Sequence, residues 1–219
     1  MEKTFVHTAP IEVIGHLSAL VTVPTDFDPQ KESLPVILFL HGSGERGDNI
    51  DSVRVHGIPK IFGADPDYHG LRVITVSPQC PGGHWWHHLT YPLKDWFMAF
   101  VESVNGDKSR LSVTGLSMGG YGTWDMICTF PQLFSCAAPV CGGGISWLAS
   151  ALRDKPLRVY HSIDDDAVPF ERSFEMVTAA RANGANVEMF PYDKWGHGSW
   201  VPAYEQTDLV EWLVAQRLD

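Results

Sequence analysis

Positive charge is in short supply in this chain. Its 219 residues include 16 lysines and arginines against 26 aspartates and glutamates, which gives a formal charge of -10. A surface that binds nucleic acid or an anionic membrane needs clustered basic side chains to meet the phosphates, and the sequence contains no such cluster. We therefore expect neither nucleic acid nor a membrane as a partner.

Long apolar runs and cysteines are also scarce. No run approaches the roughly 20 apolar residues that cross a bilayer, and the opening MEKTFVHTAP lacks the basic-then-apolar pattern of a secretory signal. The 4 cysteines show neither CxxC metal spacing nor the density of a disulfide scaffold. These features predict a soluble cytoplasmic protein with reduced thiols, although a leader removed beforehand would leave the same start.

Short β-branched runs alternate with helical stretches along most of the chain. The runs occupy 35–40, 72–77, 110–115, 136–140, 156–161 and 187–192. Most of them lack the polar alternation of a half-exposed strand, so helices should cover them on both faces. The sequence predicts one α/β domain over 1–219, with a mostly parallel central sheet and helices on both faces. The short chain leaves little room for a large cap domain.

Other segments complete this architecture. The stretch IEVIGHLSALVTVP at 11–24 predicts an antiparallel ribbon at the sheet edge, with Gly15 near its turn. The region 43–70 lacks clear periodicity and is expected to be irregular. Helices are expected at 93–104, 121–130 and 170–184 and at the C-terminus. Within 170–184, the expected buried stripe is Phe170, Phe174, Val177 and Ala180.

A serine stands at the centre of a Gly-x-Ser-x-Gly pentapeptide in the segment VTGLSMGGYG at 113–122. The segment follows a predicted strand and opens a predicted helix, and such an elbow holds a serine in a tight turn with its hydroxyl exposed. The glycines leave space where side chains would clash with the strand and the helix. A glycine-rich turn with an incidental serine is the alternative, but the context favours Ser117 as a nucleophile.

A serine nucleophile needs a histidine to take its proton and an acid to orient that histidine. The strand at 156–161 leads directly into Asp164, Asp165 and Asp166, and His197 lies between two glycines beyond the last predicted strand. Alone, the aspartates would read as a solvated loop or a helix N-cap, and His197 as an ordinary histidine. Because all these segments leave the carboxyl edge of a parallel sheet, the order serine, aspartate, histidine favours a catalytic triad.

A serine hydrolase also needs an oxyanion hole, because the developing alkoxide requires preorganised donors. The backbone N–H of Met118, directly after the nucleophile, is one expected donor. The second should come from the loop FLHGSGERGDN at 39–49, where the N–H of Ser43 is the candidate and that of Gly44 its alternate. The other interpretation of this loop is a glycine turn with no chemical role.

Five separated motifs occur in order from about residue 34 to the C-terminus. They are LHGSGERGDN, SPQCPGGHWW, VTGLSMGGYGTWDM, APVCGGG and HSIDDDAVP followed by GHGSW. Together they resemble the small serine esterases of the phospholipase/carboxylesterase-like branch of the α/β-hydrolases, some of which are labelled predicted peptidases. The resemblance implies an α/β-hydrolase fold and hydrolysis of acyl or aryl esters, feruloyl or acetyl groups on plant polysaccharide included. It implies no metal and no other cofactor.

The resemblance also selects among the three aspartates. The family pattern is a histidine, three residues and an aspartate, with Val-Pro shortly after it. Laid on the segment 161–169, this pattern gives Asp165 as the triad acid, with Asp164 and Asp166 as alternatives. Ser162 departs from the His-Gly opening of the family, which keeps a one-residue ambiguity in that choice.

Several residues beside the expected cleft are candidates for contact with the substrate. They are His41, Gly44, Trp85, Trp86, Cys141 and Trp200. The two adjacent tryptophans could form a wall for an acyl or aryl group, and ordinary core packing is the equal alternative. A metal site on His84, His87 and His88 is disfavoured, because Pro-Gly-Gly interrupts a helix there and the family calls for no metal.

The sequence as a whole therefore predicts a serine carboxylic-ester hydrolase that forms a covalent acyl-enzyme. Its expected partner is a small-molecule ester, such as an acylated or feruloylated carbohydrate, and no oligomeric state is predicted. Two alternatives stay open. The same triad could cleave peptides or amides, or the chain could be a binding protein that retains a silent hydrolase scaffold.

Overall fold

The computed structural model describes residues 3–11 and 14–218. Its eight strands are β1 (Thr4–Ile11), β2 (Gly15–Thr22), β3 (Val36–Leu40), β4 (Ile74–Pro78), β5 (Leu111–Leu116), β6 (Cys136–Val140), β7 (Pro156–Ser162) and β8 (Asn186–Tyr192). Its α-helices are α1 (Gly57–Ala64), α2 (Thr90–Ser103), α3 (Met118–Thr129), α4 (Glu171–Ala182), α5 (Trp200–Glu205) and α6 (Leu209–Ala215). None of the helices described combines the length and hydropathy that a membrane span requires.

The strands form one open sheet that is parallel except at one edge. Its order is β1-β2-β4-β3-β5-β6-β7-β8. β1 pairs with β2 and β2 with β4 in antiparallel register, and every other neighbouring pair is parallel. The mostly parallel sheet with an antiparallel edge ribbon is therefore confirmed. Residues 12 and 13 of the expected turn lie outside the described residues, and Gly15 beside them adopts a φ of +81°.

The central strands are buried on both faces because the helices form a layer on each side. All five residues of β3 are inaccessible to solvent. Alternate side chains point to opposite faces of a strand, so Leu38 joins the layer containing Phe97 and Trp124, whereas Phe39 joins the layer containing Phe62. This two-sided burial explains why the sequence of β3 is continuously apolar rather than alternating.

The expectation that 43–70 is irregular is wrong in its second half. Residues 57–64 form α1, and its Ile58 and Phe62, one turn apart, are fully buried against the face of the sheet that carries Phe39. Gly57 opens this helix with a φ of +59°, and Pro59 follows within the first turn. Glycine and proline at a helix start conceal the helical period from a sequence reading.

The buried stripe predicted for α4 is also wrong at both of its phenylalanines, since Phe170 is only half-buried and precedes the helix. Phe174 is 53% exposed, whereas Ser173, Met176, Val177 and Ala180 are buried. Ser173 takes the inward position because its hydroxyl donates a hydrogen bond to the carbonyl of Gly142, 2.8 Å away, and contacts His161. A polar contact therefore rotates the helix away from the face that hydrophobicity alone favours.

The parallel strands deliver four chemically important segments to one edge of the sheet. Ser43 follows β3, Ser117 follows β5, Asp165 follows β7 and His197 follows β8. Parallel strands end at a common edge, and the side chains that leave them converge there. The sheet thus positions the candidate site.

We predict that Gly119→Ala destabilises the protein by about 3 kcal/mol or more, since a Cβ on Gly119 would lie 1.8 Å from the carbonyl oxygen of Leu40 in a central strand. Urea unfolding followed by circular dichroism measures the change. Gly82→Ala is the matched control, because a Cβ there meets no described atom within 4 Å, and its effect should stay within about 0.5 kcal/mol. Equal stability of the two variants would contradict this packing.

Candidate active site

The side chains of Ser117, His197 and Asp165 form one continuous hydrogen-bonded chain. Nε2 of His197 lies 2.8 Å from Oγ of Ser117. Nδ1 of the same ring lies 2.8 Å and 3.0 Å from the two carboxylate oxygens of Asp165. This arrangement has the atoms and distances that allow an imidazole to take a proton from a serine while a carboxylate stabilises the resulting charge.

Asp165 is held in place by backbone donors as well as by the histidine. Its Oδ1 accepts hydrogen bonds from the N–H groups of Ala167 and Val168, at 3.0 Å and 2.9 Å. Burial alone would raise the pKa of this carboxyl, but the hydrogen bonds from His197 and the two amides outweigh burial and keep the pKa below its usual value. The carboxylate is therefore ionised at neutral pH and its orientation is fixed.

The two neighbouring aspartates take other places. Asp164 accepts hydrogen bonds from the hydroxyl of Ser162 at 2.6 Å and from the N–H of Gly196 at 3.0 Å, and so it ties the loop before His197 to the end of β7. Asp166 is exposed. The structure thus brings Asp165, and neither of its neighbours, to the ring of His197.

A second buried histidine lies behind the carboxylate. Nε2 of His161 is 3.1 Å from Oδ2 of Asp165 and 2.9 Å from the carbonyl oxygen of Val168. Its Nδ1 is 2.7 Å from the hydroxyl of Ser173. Burial lowers the pKa of His161, although the Val168 carbonyl and the charge of Asp165 oppose that shift. The ring is fully buried and contacts Oδ2, the same carboxylate oxygen that lies 2.8 Å from His197.

The serine sits on a strained turn between β5 and α3. Its φ of +53° and ψ of -115° are rare for a residue with a side chain and cost about 1 to 3 kcal/mol. The turn is this tight because α3 starts directly against the sheet. A Cβ at Gly115 would lie 2.5 Å from the carbonyl oxygen of Gly119. The glycines of the pentapeptide are therefore required by close backbone approach.

The two residues predicted to donate to an oxyanion each begin a helical segment close to the serine. Met118 is the first residue of α3, and the first N–H groups of a helix have no partner within it. Ser43 opens a single helical turn, Ser43–Glu45, whose residues line a cavity that also contains Ser117 and His197. Ser43 thus shares a cavity with the nucleophile, and Met118 is its neighbour in the chain.

The loop that carries Ser43 is anchored by His41. The N–H of Cys80 donates to Nε2 of this histidine at 2.9 Å, so the ring proton is on Nδ1, which donates to the carbonyl of Gly42 at 2.6 Å. Nε1 of Trp86 donates to the carbonyl of His41 at 3.0 Å. Burial lowers the pKa of His41 to about 4, so the ring is neutral at pH 7.

Two cavities meet the candidate site. The smaller has a volume of about 130 Å³ and is lined by Gly42, Ser43, Gly44, Glu45, His56, Leu116, Ser117, His197 and Trp200. The larger has a volume of about 420 Å³ and is lined by Trp85, Trp86, His87, Met118, Tyr121, Asp125, Gly144 and Ile145. We call them the mouth cavity and the aromatic cavity. Mostly apolar side chains line the aromatic cavity, which suits an organic group of modest size.

The candidate lining residues divide between these spaces. Gly44 and Trp200 line the mouth cavity, and Trp85 and Trp86 line the aromatic cavity. His41 and Cys141 line neither of the two cavities, because both are buried and engaged in supporting the loops.

Sequence reasoning missed some residues of these cavities, including His56, Tyr121 and Asp125. Met118, Tyr121 and Asp125 are spaced three and four residues apart, which places them on one face of α3. This spacing was the signal that could have identified Tyr121 and Asp125. His56 lies in the region that was expected to be irregular and offered no comparable signal.

One cluster of potential metal ligands occurs among the described residues, formed by Cys141, Asp165 and His197. The carboxylate and the imidazole are hydrogen-bonded to each other, and the other imidazole nitrogen faces Ser117. Burial raises the pKa of the Cys141 thiol to about 12, so the thiolate that metals prefer is not available at neutral pH. The carboxylate and the imidazole are thus already committed to the hydrogen-bonded chain, and the Cys141 thiol is protonated.

Comparison with known proteins identifies relatives of this arrangement. The prolyl oligopeptidase family matches residues 143–216, less than half of the chain, a segment that includes Asp165 and His197. No curated protein sequence matches significantly. A thermostable esterase of known structure shares 32% sequence identity and superposes with a TM-score of 0.86, over 98% of this chain and 63% of that chain. The chain has the α/β-hydrolase fold.

Two more distant structures share this fold. The feruloyl esterase module from Clostridium thermocellum, complexed with sinapinate, is 15% identical, with a TM-score of 0.78 over 99% of this chain and 89% of that one. The acylaminoacyl peptidase from Pyrococcus horikoshii is 16% identical, with a TM-score of 0.70 over 100% of this chain and 42% of that one. The chain spans less than two thirds of the thermostable esterase and less than half of the peptidase. The resemblance of its sequence motifs to carboxylesterase-like hydrolases agrees with these relatives.

We predict that Ser117→Gly is more stable than Ser117→Ala by about 1 kcal/mol, because glycine relieves the positive φ and alanine does not. Urea unfolding of the two variants measures the difference. Ser112, in the middle of β5, provides the control pair. There the order should reverse, since glycine weakens a strand interior. The same order at both positions would contradict a strained turn at Ser117.

The neutral state of His41 should also affect how the free energy of unfolding changes with pH. In the unfolded chain, a histidine takes up a proton below about pH 6.5. In the folded protein, His41 takes up its proton only near its lowered pKa of about 4. Between about pH 6.5 and pH 4, proton binding therefore favours the unfolded chain. Between pH 7 and pH 4.5, the wild type should lose about 2 kcal/mol more stability than His41→Gln. Urea unfolding at several pH values measures this difference, and parallel profiles would contradict a buried neutral ring.

Proposed function

We propose that this chain is a serine carboxylic-ester hydrolase that acts on small acyl or aryl esters. The observation that carries the proposal is the chain of hydrogen bonds from Oγ of Ser117 through the ring of His197 to Asp165, with distances of 2.8 Å on each side of the ring. A serine hydroxyl becomes a useful nucleophile only when such a base stands within hydrogen-bond reach and is itself oriented.

In the first half of the reaction, Nε2 of His197 removes the proton from Ser117 while Oγ attacks the ester carbonyl carbon. The carbonyl oxygen becomes negatively charged, and the N–H groups of Met118 and Ser43 donate hydrogen bonds to it. The carbon–oxygen bond to the alcohol then breaks, and His197 passes its proton to the departing oxygen. The products of this half are the free alcohol and an acyl group bound to Oγ.

In the second half, water attacks the acyl-enzyme along the same route. His197 takes a proton from the water, the hydroxide adds to the acyl carbon, and the bond to Oγ breaks as the serine recovers its proton. Asp165 stabilises the imidazolium in both halves without becoming protonated, which suits its lowered pKa. The acid product leaves and the enzyme returns to its starting state.

Two features support esters as the substrates. Of the three known structures compared with this chain, the thermostable esterase has the highest sequence identity, 32%. The aromatic cavity, at about 420 Å³, matches an acyl or aryl group of modest size better than a long lipid chain. An acylated or feruloylated carbohydrate is one substrate of this class.

Peptide or amide hydrolysis is the second candidate function. It is favoured by the match of residues 143–216 to the prolyl oligopeptidase family and by the shared fold of the acylaminoacyl peptidase. The same residues serve both reactions, but an amine leaves less readily than an alcohol. A matched ester and anilide of one acyl group separate the two, and a higher kcat/KM for the anilide would favour the peptidase.

The ester proposal predicts graded losses of activity on a p-nitrophenyl ester series from acetate to octanoate, with methyl ferulate as an aryl substrate. Ser117→Ala should lose on the order of 10⁶ in kcat, and Asp165→Asn about 10⁴. Asp166→Asn is the matched control, because the exposed neighbour contacts none of the reacting groups, and its rate should stay near that of the wild type. Equal small losses in all three variants would contradict the proposed triad.

A further inference from the structure

One face of α3 links the nucleophile to the far end of the aromatic cavity. Met118, Tyr121 and Asp125 are spaced three and four residues apart, so they lie on the same side of the helix. All three line the cavity, facing Trp85 and Trp86 across it. The cavity therefore extends along α3 from Met118, the residue after the nucleophile, to the carboxyl group of Asp125.

The position of His197 decides which part of the ester enters this cavity. His197 must give its proton to the departing alcohol, so the alcohol lies on the histidine side of Ser117. The mouth cavity contains His197, and the aromatic cavity does not. The aromatic cavity, which Met118 lines and His197 does not, is then the space left for the acyl part.

Asp125 is the one carboxylate among the residues that line the aromatic cavity. No group among the described residues donates a hydrogen bond or a charge to it, and its side chain is half-buried. Burial raises the pKa of this carboxyl to about 6. A polar group in this situation loses its water when a ligand fills the cavity and then needs a partner from the ligand.

We propose that Asp125 selects acyl groups that consist of an aromatic ring with a hydrogen-bond donor at the far end, such as a para-hydroxyphenylpropanoyl group. The proposal rests on the ester hydrolase function and specifies its substrate class. The indole ring of Trp85, which is 43% exposed, provides a stacking surface for the ring, and the Asp125 carboxyl, whether ionised or protonated, provides an acceptor for the donor.

The length of such a group matches the distance along α3 from Ser117 to Asp125. Asp125 is eight residues beyond Ser117, which is about 12 Å along a helix axis. The hydroxyl oxygen of a para-hydroxyphenylpropanoyl group lies roughly 8 Å from its carbonyl carbon at ordinary bond lengths. Adding the bond to the serine oxygen and a hydrogen bond of about 2.7 Å brings the total close to that span. An acetyl group ends far short of Asp125.

The test compares methyl esters of three phenylpropanoates that differ only at the para position, which carries a hydroxyl, a methyl or an aminomethyl group. For the wild type, kcat/KM should be about ten-fold to a hundred-fold higher for the hydroxyl than for the methyl ester, because the methyl group leaves the carboxyl unpaired. The aminomethyl ester distinguishes a neutral from a cationic donor. A wild-type ratio near one for both donors would overturn the proposal.

Variants assign the preference to Asp125. Asp125→Leu keeps a similar volume without an acceptor, and the ratio of hydroxyl to methyl ester should fall to about one. Asp95→Leu is the matched control, because its carboxylate is exposed on α2 and lines no part of the aromatic cavity, and the ratio should stay at the wild-type value. If Asp125→Leu does not fold, Asp125→Asn should lower the ratio at least three-fold, since an amide oxygen is the weaker acceptor.

Hydrolysis of p-nitrophenyl acetate separates this inference from the function on which it rests. Wild type that cleaves the acetate but shows no preference among the phenylpropanoates would retain the ester hydrolase function and refute the role of Asp125. Wild type that cleaves no ester would refute both. A preference that disappears in Asp125→Leu and persists in Asp95→Leu is the expected result.

Discussion

The contact between the start of α3 and the central strands is the constraint on which the rest of the site depends. Gly115 and Gly119 let the helix backbone approach β3 so closely that a single Cβ would collide with a carbonyl oxygen. The chain must then turn within one residue, and Ser117 takes the positive φ that results. The same contact puts the first amide of α3 beside the serine and sets the helix face that lines the aromatic cavity.

Buried polar groups fix the loops around this turn. Asp165 is bonded by two amides and contacts the rings of His197 and His161, so its carboxylate has little freedom to rotate. On the opposite side of the serine, neutral His41 ties its loop to the N–H of Cys80. In both places burial and complete hydrogen bonding hold one protonation state, and the site is organised before any substrate arrives.

Local patterns in the sequence were sufficient for the fold class and for the order of the candidate residues. Continuous apolar runs indicated a sheet buried on both faces, and the pentapeptide around Ser117 indicated the elbow. The choice of Asp165 needed the family pattern, because the local sequence does not distinguish three adjacent aspartates from one another. Helix α1 and the position of Asp125 in the aromatic cavity were missed, since each depends on which distant segments pack against it, and such contacts leave no local period.

The central claim is that Ser117 becomes covalently acylated with His197 as its base. Labelling with a fluorophosphonate, followed by mass spectrometry of the intact protein and of its peptides, tests it most directly. The account predicts one added phosphonyl group per chain, located on Ser117, and much slower labelling in His197→Ala. Absence of labelling, or labelling of another residue, would contradict the account.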